Sequence, residues 1–422
     1  MGVISCGTTM IDQGQFQNLA VLSWDTTAKT ANFTAVAGNG YFINTTSTAI
    51  TMTLPASPSA GDQVALKDYA GTFETNNCTI GRNGSNLDGN PADRALSTNN
   101  QSFTLIYVDA TQGWIAADSG SDDIGLPPSF IAATGGTVTT SGNYKIHTFT
   151  SPGTFTVTSL GNPVGGPSTV DYLVAAGGGG GGGAANWGNA GASGGGAGGY
   201  RESSGADSGC YSISPLGSGV SALPVSITGY PITVGGGGAG GPGISAGSQG
   251  SNSIFSTITS TGGGYGSSLP AAGSGGSGGG GSWCDAFTGG AGNTPPVSPP
   301  QGNPGGDGRK PAPFVNGGGG GATAAGQPFQ PSNGIGASGA GATSFITNTP
   351  VGRSGGGGSG GGNGTGPGTD GSCGAGDGGD NGYPGTAGLA NRAGGGGGGG
   401  RGGNAGGGAG GSGIVVIRYQ YQ

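Results

Sequence analysis

The 422-residue chain carries one histidine, His147, inside the alternating run Tyr144-Lys145-Ile146-His147-Thr148-Phe149. Alternation of this kind marks a half-buried strand. No serine and carboxylate can be assigned to the imidazole as the rest of a nucleophilic triad, so His147 reads as a structural residue. Glycoside cleavage would need two carboxylates at a suitable separation. Asp285 and Asp307 share one segment, but nothing else in the sequence supports that chemistry. The string Asp377-Gly378-Gly379-Asp380-Asn381-Gly382 has the composition of a calcium turn. It does not recur at nine-residue spacing, and a solvated turn is the default reading. Cys6, Cys78, Cys210, Cys284 and Cys373 are odd in number and far apart, without a metal-binding pair or a disulfide framework. No lysine completes a phosphate loop. The expectation is therefore a protein that is not an enzyme and calls for no metal and no cofactor.

What the residues could do is recognise a surface. Trp187, Trp283, Phe287, Phe314, Phe329 and Tyr383 stand among residues too small to bury them locally. Aromatic rings supply large contact area at low entropic cost, and Trp and Tyr dominate binding hot spots. Sugar rings could lie on them, with Asp285, Asn293 and Asn303 as hydrogen-bond partners. Trp187, Trp283, Asp285, Phe287, Phe314, Phe329 and Tyr383 are thus the candidate receptor-binding residues. In the competing reading these aromatics cap the ends of glycine layers or fill subunit contacts.

Glycine must position them. Of 110 glycines, 20 precede Gly177 and the other 90 run from Gly177 onward, with seven-residue runs at Gly177 to Gly183 and Gly394 to Gly400. A chain so poor in apolar surface stays disordered by default, and a Gly/Ser linker is flexible. Linkers, however, do not carry scattered Trp, Tyr and Phe or end in a strand such as Ile414 to Tyr419. The ordered alternative is a set of threefold polyproline II-type helices, which lack internal hydrogen bonds and whose backbone groups need outside partners. Without Cβ atoms such helices can approach closely and bond to one another, and a seven-glycine run spans roughly 22 Å. The segment is bracketed by Val170 to Ala176 and Ile414 to Tyr419, which are expected to pair side by side. Five inserts interrupt it, at 200–234, 253–260, 282–315, 327–351 and 367–392, with prolines that would stop helices or interior strands.

The fold class expected is all-β. Ile50/Met52/Leu54, Val64/Leu66 and Phe103/Leu105/Tyr107 alternate with polar or small residues, and Asn83-Gly84 has the signature of a type I′ hairpin. These signals suggest an antiparallel β-sandwich or barrel, followed by a β domain with a large glycine-rich insertion of packed polyglycine II-type helices. The divisions are an attachment arm (1–24), an N-terminal β domain (25–117), a linker (118–129), the sheet of a second domain (130–176), the glycine-rich region (177–413) and a closing strand (414–422).

Charged residues are 7% of the chain and the net charge is −7. Nucleic acid, which requires clustered Lys and Arg, is not expected as a partner, and Arg401-Gly402-Gly403 is a lone triplet. No apolar run reaches the ~18 residues of a membrane span, so no insertion into a membrane is expected. The N-terminus has neither the basic and apolar regions of a signal peptide nor a complete myristoylation signal.

Two resemblances bear on function. Thr53 to Asp62 (TLPASPSAGD), Asp68 to Phe73 (DYAGTF) and Leu105 to Trp114 (LIYVDATQGW) resemble a β module of virion fibre proteins in aquatic bacteriophages. The second half, through YKIHTFTSPGTFTV, VDYLVAAGGGGGG, YPITVGGGGAGG and GGSGIVVIRY, is similar to the glycine-rich domain of phage tail-fibre proteins. Its composition is also similar to that of tip adhesins whose packed polyglycine helices hold variable loops against the host surface. The resemblance implies a structural fibre or adhesin of a tailed bacteriophage, located on the virion. It would attach to other virion proteins through its N-terminal part and touch a host surface glycan or protein receptor through the glycine-rich region. By analogy with fibres it implies a homotrimer. The alternative is a purely structural capsid-decorating fibre or filament subunit; an ice-binding protein would need a flat Thr/Ala face that the inserts do not offer.

Overall fold

The computed structural model describes the backbone of Val3–Ser5 and Thr8–Met10, together with residues 22–117, 128–162, 165–184, 191–209, 211–268, 271–283, 288–309, 316–328, 335–362 and 368–422. The chain forms two compact units, Met1–Pro128 with Pro163–Gly165, and Ser129–Asn162 with Gly166–Gln422. Among the described residues the helical pieces are single 3₁₀ turns, Ala206–Ser208 and Pro215–Gly217. The rest is strand, turn and extended chain, so the all-β expectation holds.

In the first unit Val3–Ser5 pairs with Thr8–Met10. Beyond that hairpin, a five-stranded and a four-stranded sheet enclose one core. The larger sheet runs Gly113–Ala116, Ser102–Asp109, Gln63–Asp68, Asn39–Ile43, Ser23–Lys29; the smaller runs Phe33–Thr34, Ile50–Thr53, Cys78–Gly81, Arg94–Leu96. The alternating residues face inward as the period demands: Ile50, Met52, Leu54, Val64, Leu66, Phe103 and Leu105 are all buried. The pairing, however, is mixed rather than antiparallel throughout. Ser23–Lys29 with Asn39–Ile43, Asn39–Ile43 with Gln63–Asp68, Phe33–Thr34 with Ile50–Thr53, and Ile50–Thr53 with Cys78–Gly81 are parallel. The reason is that the chain crosses to the opposite sheet after each of its first strands. Strands that meet within a sheet are then next-but-one in sequence and run the same way. Asn83 and Gly84 do take the left-handed conformations expected (φ 49° and 95°). They form one bend in the long loop between Cys78–Gly81 and Arg94–Leu96 rather than a tight hairpin. Asp68 explains the string that follows it. Its buried carboxylate accepts the N–H groups of Gly71 and Asn100, both at 2.9 Å, drawing the two loops together over Phe73.

The second unit is built on two sheets. One runs Thr137–Ser141, Tyr144–Phe149, Ile414–Gln420, Thr169–Ala175, Tyr200–Glu202, with Leu223–Pro224 joined to Thr169–Ala175. The other runs Ala132–Thr134, Gly153–Ser159, Gly229–Thr233, Ser253–Phe255, Ile258–Ser260. Phe149, Phe155, Tyr172, Val174, Phe255, Val415, Ile417 and Tyr419 fill the space between them. The bracketing strands are neighbours as expected, antiparallel from Asp171↔Arg418 to Ala175↔Ile414. Pro231 lies inside an interior strand, against expectation. Its missing N–H costs nothing, because the neighbouring strand Ser253–Phe255 has already turned away at Ser256 (φ 52°).

Beyond the sheets the glycine segments run as extended threefold helices side by side. Residues 176–184 form one whose N–H groups donate in rotation to three antiparallel neighbours. Gly177, Gly180 and Gly183 reach Ser251, Ser248 and Ser245; Gly178, Gly181 and Ala184 reach Gly411, Gly408 and Ala405; Gly179 and Gly182 reach Gly196 and Ser193, all at 2.8–3.0 Å. Its carbonyls accept from three parallel neighbours: Gly177 and Gly180 from Gly263 and Gly266, Gly178 and Gly181 from Gly238 and Gly241, Gly179 and Gly182 from Gly396 and Gly399, all at 2.9 Å. Three donor and three acceptor partners make six neighbours, a hexagonal packing. The second long run, Gly394 to Gly400, is enclosed in the same way. Its N–H groups reach segments 355–358, 179–182 and 383–386, and its carbonyls take segments 376–379, 408–411 and 192–195.

Such packing leaves no room for a side chain. A methyl on Gly177, Gly178 or Gly180 would stand 2.0 Å from the carbonyl oxygen of Gly236, Gly394 or Ala239. The two uninterrupted glycine runs are enclosed on every side, and so is the helix 192–198, whose Ala192, Ser193 and Ala197 are fully buried. On outer helices Ala and Ser intervene where a face is open, and Gly236 has no atom within 4 Å of where its Cβ would be. Parts of the expected inserts turn out to be members of the same array. Gln301–Gly306, Gln327 and 368–389 all make inter-helix backbone bonds. Pro304, Gln327, Thr369 and Asp370 are accommodated because each is at least partly exposed, whereas Gln301 is fully buried and bonds Thr261 and Pro295 through its side chain.

Candidate functional site

Strands continue directly into many of these helices: Thr169–Ala175, Gly229–Thr233, Ser253–Phe255, Val351–Arg353 and Ile414–Gln420 all meet the array at one end. The other end consists of turns. Gly183 N–H on Ser245 and Ala184 N–H on Ala405 fix two neighbouring helices at the level of this end, and three turns there are described in full. In the first, Ser245 N–H donates to Pro242 at 3.1 Å around Gly243 (φ 52°). In the second, Gly402, Gly403 and Asn404 are all left-handed (φ 85°, 67° and 54°). In the third, Tyr383 N–H donates to Asp380 at 2.9 Å around Gly382 (φ 80°).

The three turns adjoin. Gly407 donates to Gly241, Gly400 donates to Tyr383, and Gly382 donates to Arg401 at 2.6 Å. The result is a strip in which Ile244 is 36% and Tyr383 69% exposed, with Asp380, Asn381 and Asn404 also exposed. A solvent-facing ring and aliphatic chain beside amides and a carboxylate can stack on an apolar face and hydrogen-bond its rim. The rigid helices below hold them with little ordering left to do on binding.

Of the candidate residues, Tyr383 belongs to this strip and Trp283 ends the helix 277–282, where it is half-buried with its N–H on Asn316 Oδ1 at 3.2 Å. Trp187, Asp285, Phe287, Phe314 and Phe329 lie outside the described residues. The described helix ends flanking them, such as Gly182 bonded to Ser193 and Gly281 bonded to Gly306 and Gly317, belong to the turn end of the array. Asn293 and Asn303, considered as sugar partners, belong to the opposite end and are used internally. Asn293 Oδ1 accepts Val297 and Gln301 N–H at 3.1 and 3.2 Å, and Asn303 Nδ2 donates to Gly321 and Ala322 carbonyls. Asp307, Asp377 and Asp380 each accept a backbone N–H, from Gly289, Gly371 and Gly368 respectively, at 2.7–2.8 Å. Among the described residues no three His, Cys, Asp or Glu side chains gather as a metal site, and no helix is long and apolar enough to cross a membrane. Ile244 and Asn404 escaped sequence reasoning, although Gly241-Pro242-Gly243 and Gly402-Gly403-Asn404 are turn signatures that mark their positions.

At the strand end a group of buried polar side chains bonds internally, although Arg353 Nε and the Tyr211, Ser214 and Ser354 hydroxyls are buried without a hydrogen-bond partner. Burial raises the Glu202 carboxyl and, further, the Tyr200 hydroxyl that donates to it at 2.9 Å. Glu202 also accepts Ser214 N–H and Ser344 Oγ. Burial lowers Arg353 to about 10. His147 is fully buried and burial lowers its pKa. One ring nitrogen lies 2.7 Å from the Gly135 carbonyl, which can only accept. Nδ1 must therefore carry the proton, and Nε2 accepts the Tyr419 hydroxyl at 3.0 Å. The imidazole is locked in the core with no open face.

The chain is thus a β framework carrying a polyglycine array that ends in a face of turns. A glycine-rich domain family model matches residues 150–420, and the protein belongs to that family. No curated protein matches the chain.

Proposed function

We propose that the protein is a fibre or adhesin of a tailed bacteriophage, held on the virion by its N-terminal part and presenting the turn face of the glycine array to a host surface glycan or protein. One observation carries this reading: the turns holding Ile244, Asn381, Tyr383 and Asn404 adjoin at the end of the array away from its strands. An array whose interior is backbone fixes that face without relying on the side chains displayed there. Exposed aromatic and amide groups on such a base suit recognition rather than catalysis. The sequence resemblance to tail-fibre glycine-rich domains points the same way.

The test is to locate the protein on particles with an antibody against the purified chain and to measure adsorption in its presence. Label at the tail tip together with blocked adsorption is the expected result. Label over the capsid would replace this reading with a decorating fibre, and an absence of label would refute both.

A further inference from the structure

We infer that the strand Thr137–Ser141 is an interface at which two copies of this chain pair edge to edge. It is the outer strand of its sheet, joined to Tyr144–Phe149 in unbroken antiparallel register from Thr137↔Thr148 to Ser141↔Tyr144. Thr137, Val138, Thr139 and Thr140 are all exposed, Val138 at 45%. The strand therefore overhangs both layers of the core and buries little of itself.

The phase of the ladder decides which backbone groups are free. Tyr421 N–H donates to Asn143, and Ser203 N–H donates to Tyr172. In antiparallel sheets bonded and non-bonded pairs alternate, so Lys145 and His147 bond toward Ile414–Gln420 while Tyr144, Ile146 and Thr148 bond toward Thr137–Ser141. Ser141, Thr139 and Thr137 face inward in turn, and the N–H and C=O groups of Val138 and Thr140 point outward. Neither residue has a backbone partner on that side among the described residues.

Proteins normally blunt such an edge with charge, proline, a bulge or shortness. Ser23–Lys29 carries an irregularity and the Asp25–Lys29 ion pair. Ala132–Thr134 is irregular, Phe33–Thr34 is two residues long, and Tyr200 N–H is covered by Gln301. Thr137–Ser141 has none of these devices, and its sequence TVTTS is uncharged and β-branched. An uncharged antiparallel edge is complementary to itself, and a twofold axis through Thr139 would place Val138 opposite Thr140 of the second copy in both directions. That pairing uses all four free groups and closes at two copies, unlike the three-copy bundle that the fibre resemblance implies.

The full chain is expected to sediment at twice its monomer mass. Thr139→Cys should give a disulfide-linked dimer in air, because non-bonded antiparallel partners lie about 4.5 Å apart at Cα, within reach of a disulfide. Thr140→Cys should not exceed the wild-type background from native cysteines. Val138→Pro removes an N–H that the fold does not use and should yield folded monomer. If that variant misfolds, Thr139→Lys, which sets two like charges on the axis, serves instead. A wild-type monomer, a trimer unaffected by both substitutions, or Thr139→Cys without cross-linking would each overturn the proposal.

Discussion

Asp171 and Arg418 stand opposite each other on the two strands that bracket the glycine region, both buried, and Ser208 joins them. Its hydroxyl donates to Asp171 Oδ2 at 2.6 Å while its carbonyl accepts Arg418 Nε at 2.9 Å. Ser203 Oγ takes the other Asp171 oxygen at 2.6 Å. The guanidinium lies between the rings of Tyr144 and Tyr211, 5.0 Å from each centroid, and reaches Asn348 Oδ1 at 2.8 Å. One opposed pair thus straps two loops to the sheet from which the array grows.

Arg418 meets Asp171 only through Ser208, and its loss leaves the buried carbonyls of Ser208 and Ile346 without their donor. Arg418→Ala is expected to destabilise the unit by about 1–3 kcal/mol, while Lys145→Ala, at a partly exposed position, should stay within about 0.5 kcal/mol. Urea unfolding of the two variants checks this.

Glycine positions should divide sharply by enclosure. Gly180→Ala drives a methyl to 2.0 Å from the Ala239 carbonyl, and a loss above about 4 kcal/mol or failure to fold is expected. Gly236→Ala meets nothing within 4 Å and should be neutral or stabilising by up to about 1 kcal/mol. Equal melting temperatures for the two variants would refute the enclosed packing.

Burial lowers the His147 pKa from 6.5, so the folded state prefers the neutral ring and the unfolded state takes up the proton first. The penalty is absent above about pH 6.5. It grows as the pH falls below that value and levels off only beneath the folded-state pKa. Denaturant midpoints should fall between pH 7 and 5, and the part of that fall due to this group should vanish in His147→Gln.

Tyr383 is 69% exposed at the turn face. Tyr383→Ala should leave the melting temperature unchanged and, if the face binds a host receptor, slow adsorption at least tenfold, since aromatic hot spots cost about 2 kcal/mol or more on truncation. Unchanged adsorption would remove Tyr383 from the recognition surface.

Much of this architecture was legible in the residues. The apolar runs around Val174 and Val416 announced adjacent strands, and two unbroken glycine runs announced backbone that must pack closely. The parallel pairing of Asn39–Ile43 was not legible, since alternation reports which face is buried but not which strand lies alongside. Nor could residue type separate Asn293 and Asn303 from Asn381 and Asn404. All are polar residues among glycines, and only the hydrogen-bond register places the first two at the strand end and the others among the turns.

An interior made of amides has a calorimetric consequence. Heat-capacity change on melting comes from newly wetted hydrocarbon and is reduced by newly wetted polar groups. Helices such as 176–184 release mostly peptide units. The glycine half should therefore melt with an increment below the usual ~12–15 cal/mol/K per residue, giving a flattened stability curve that resists chilling as well as warmth.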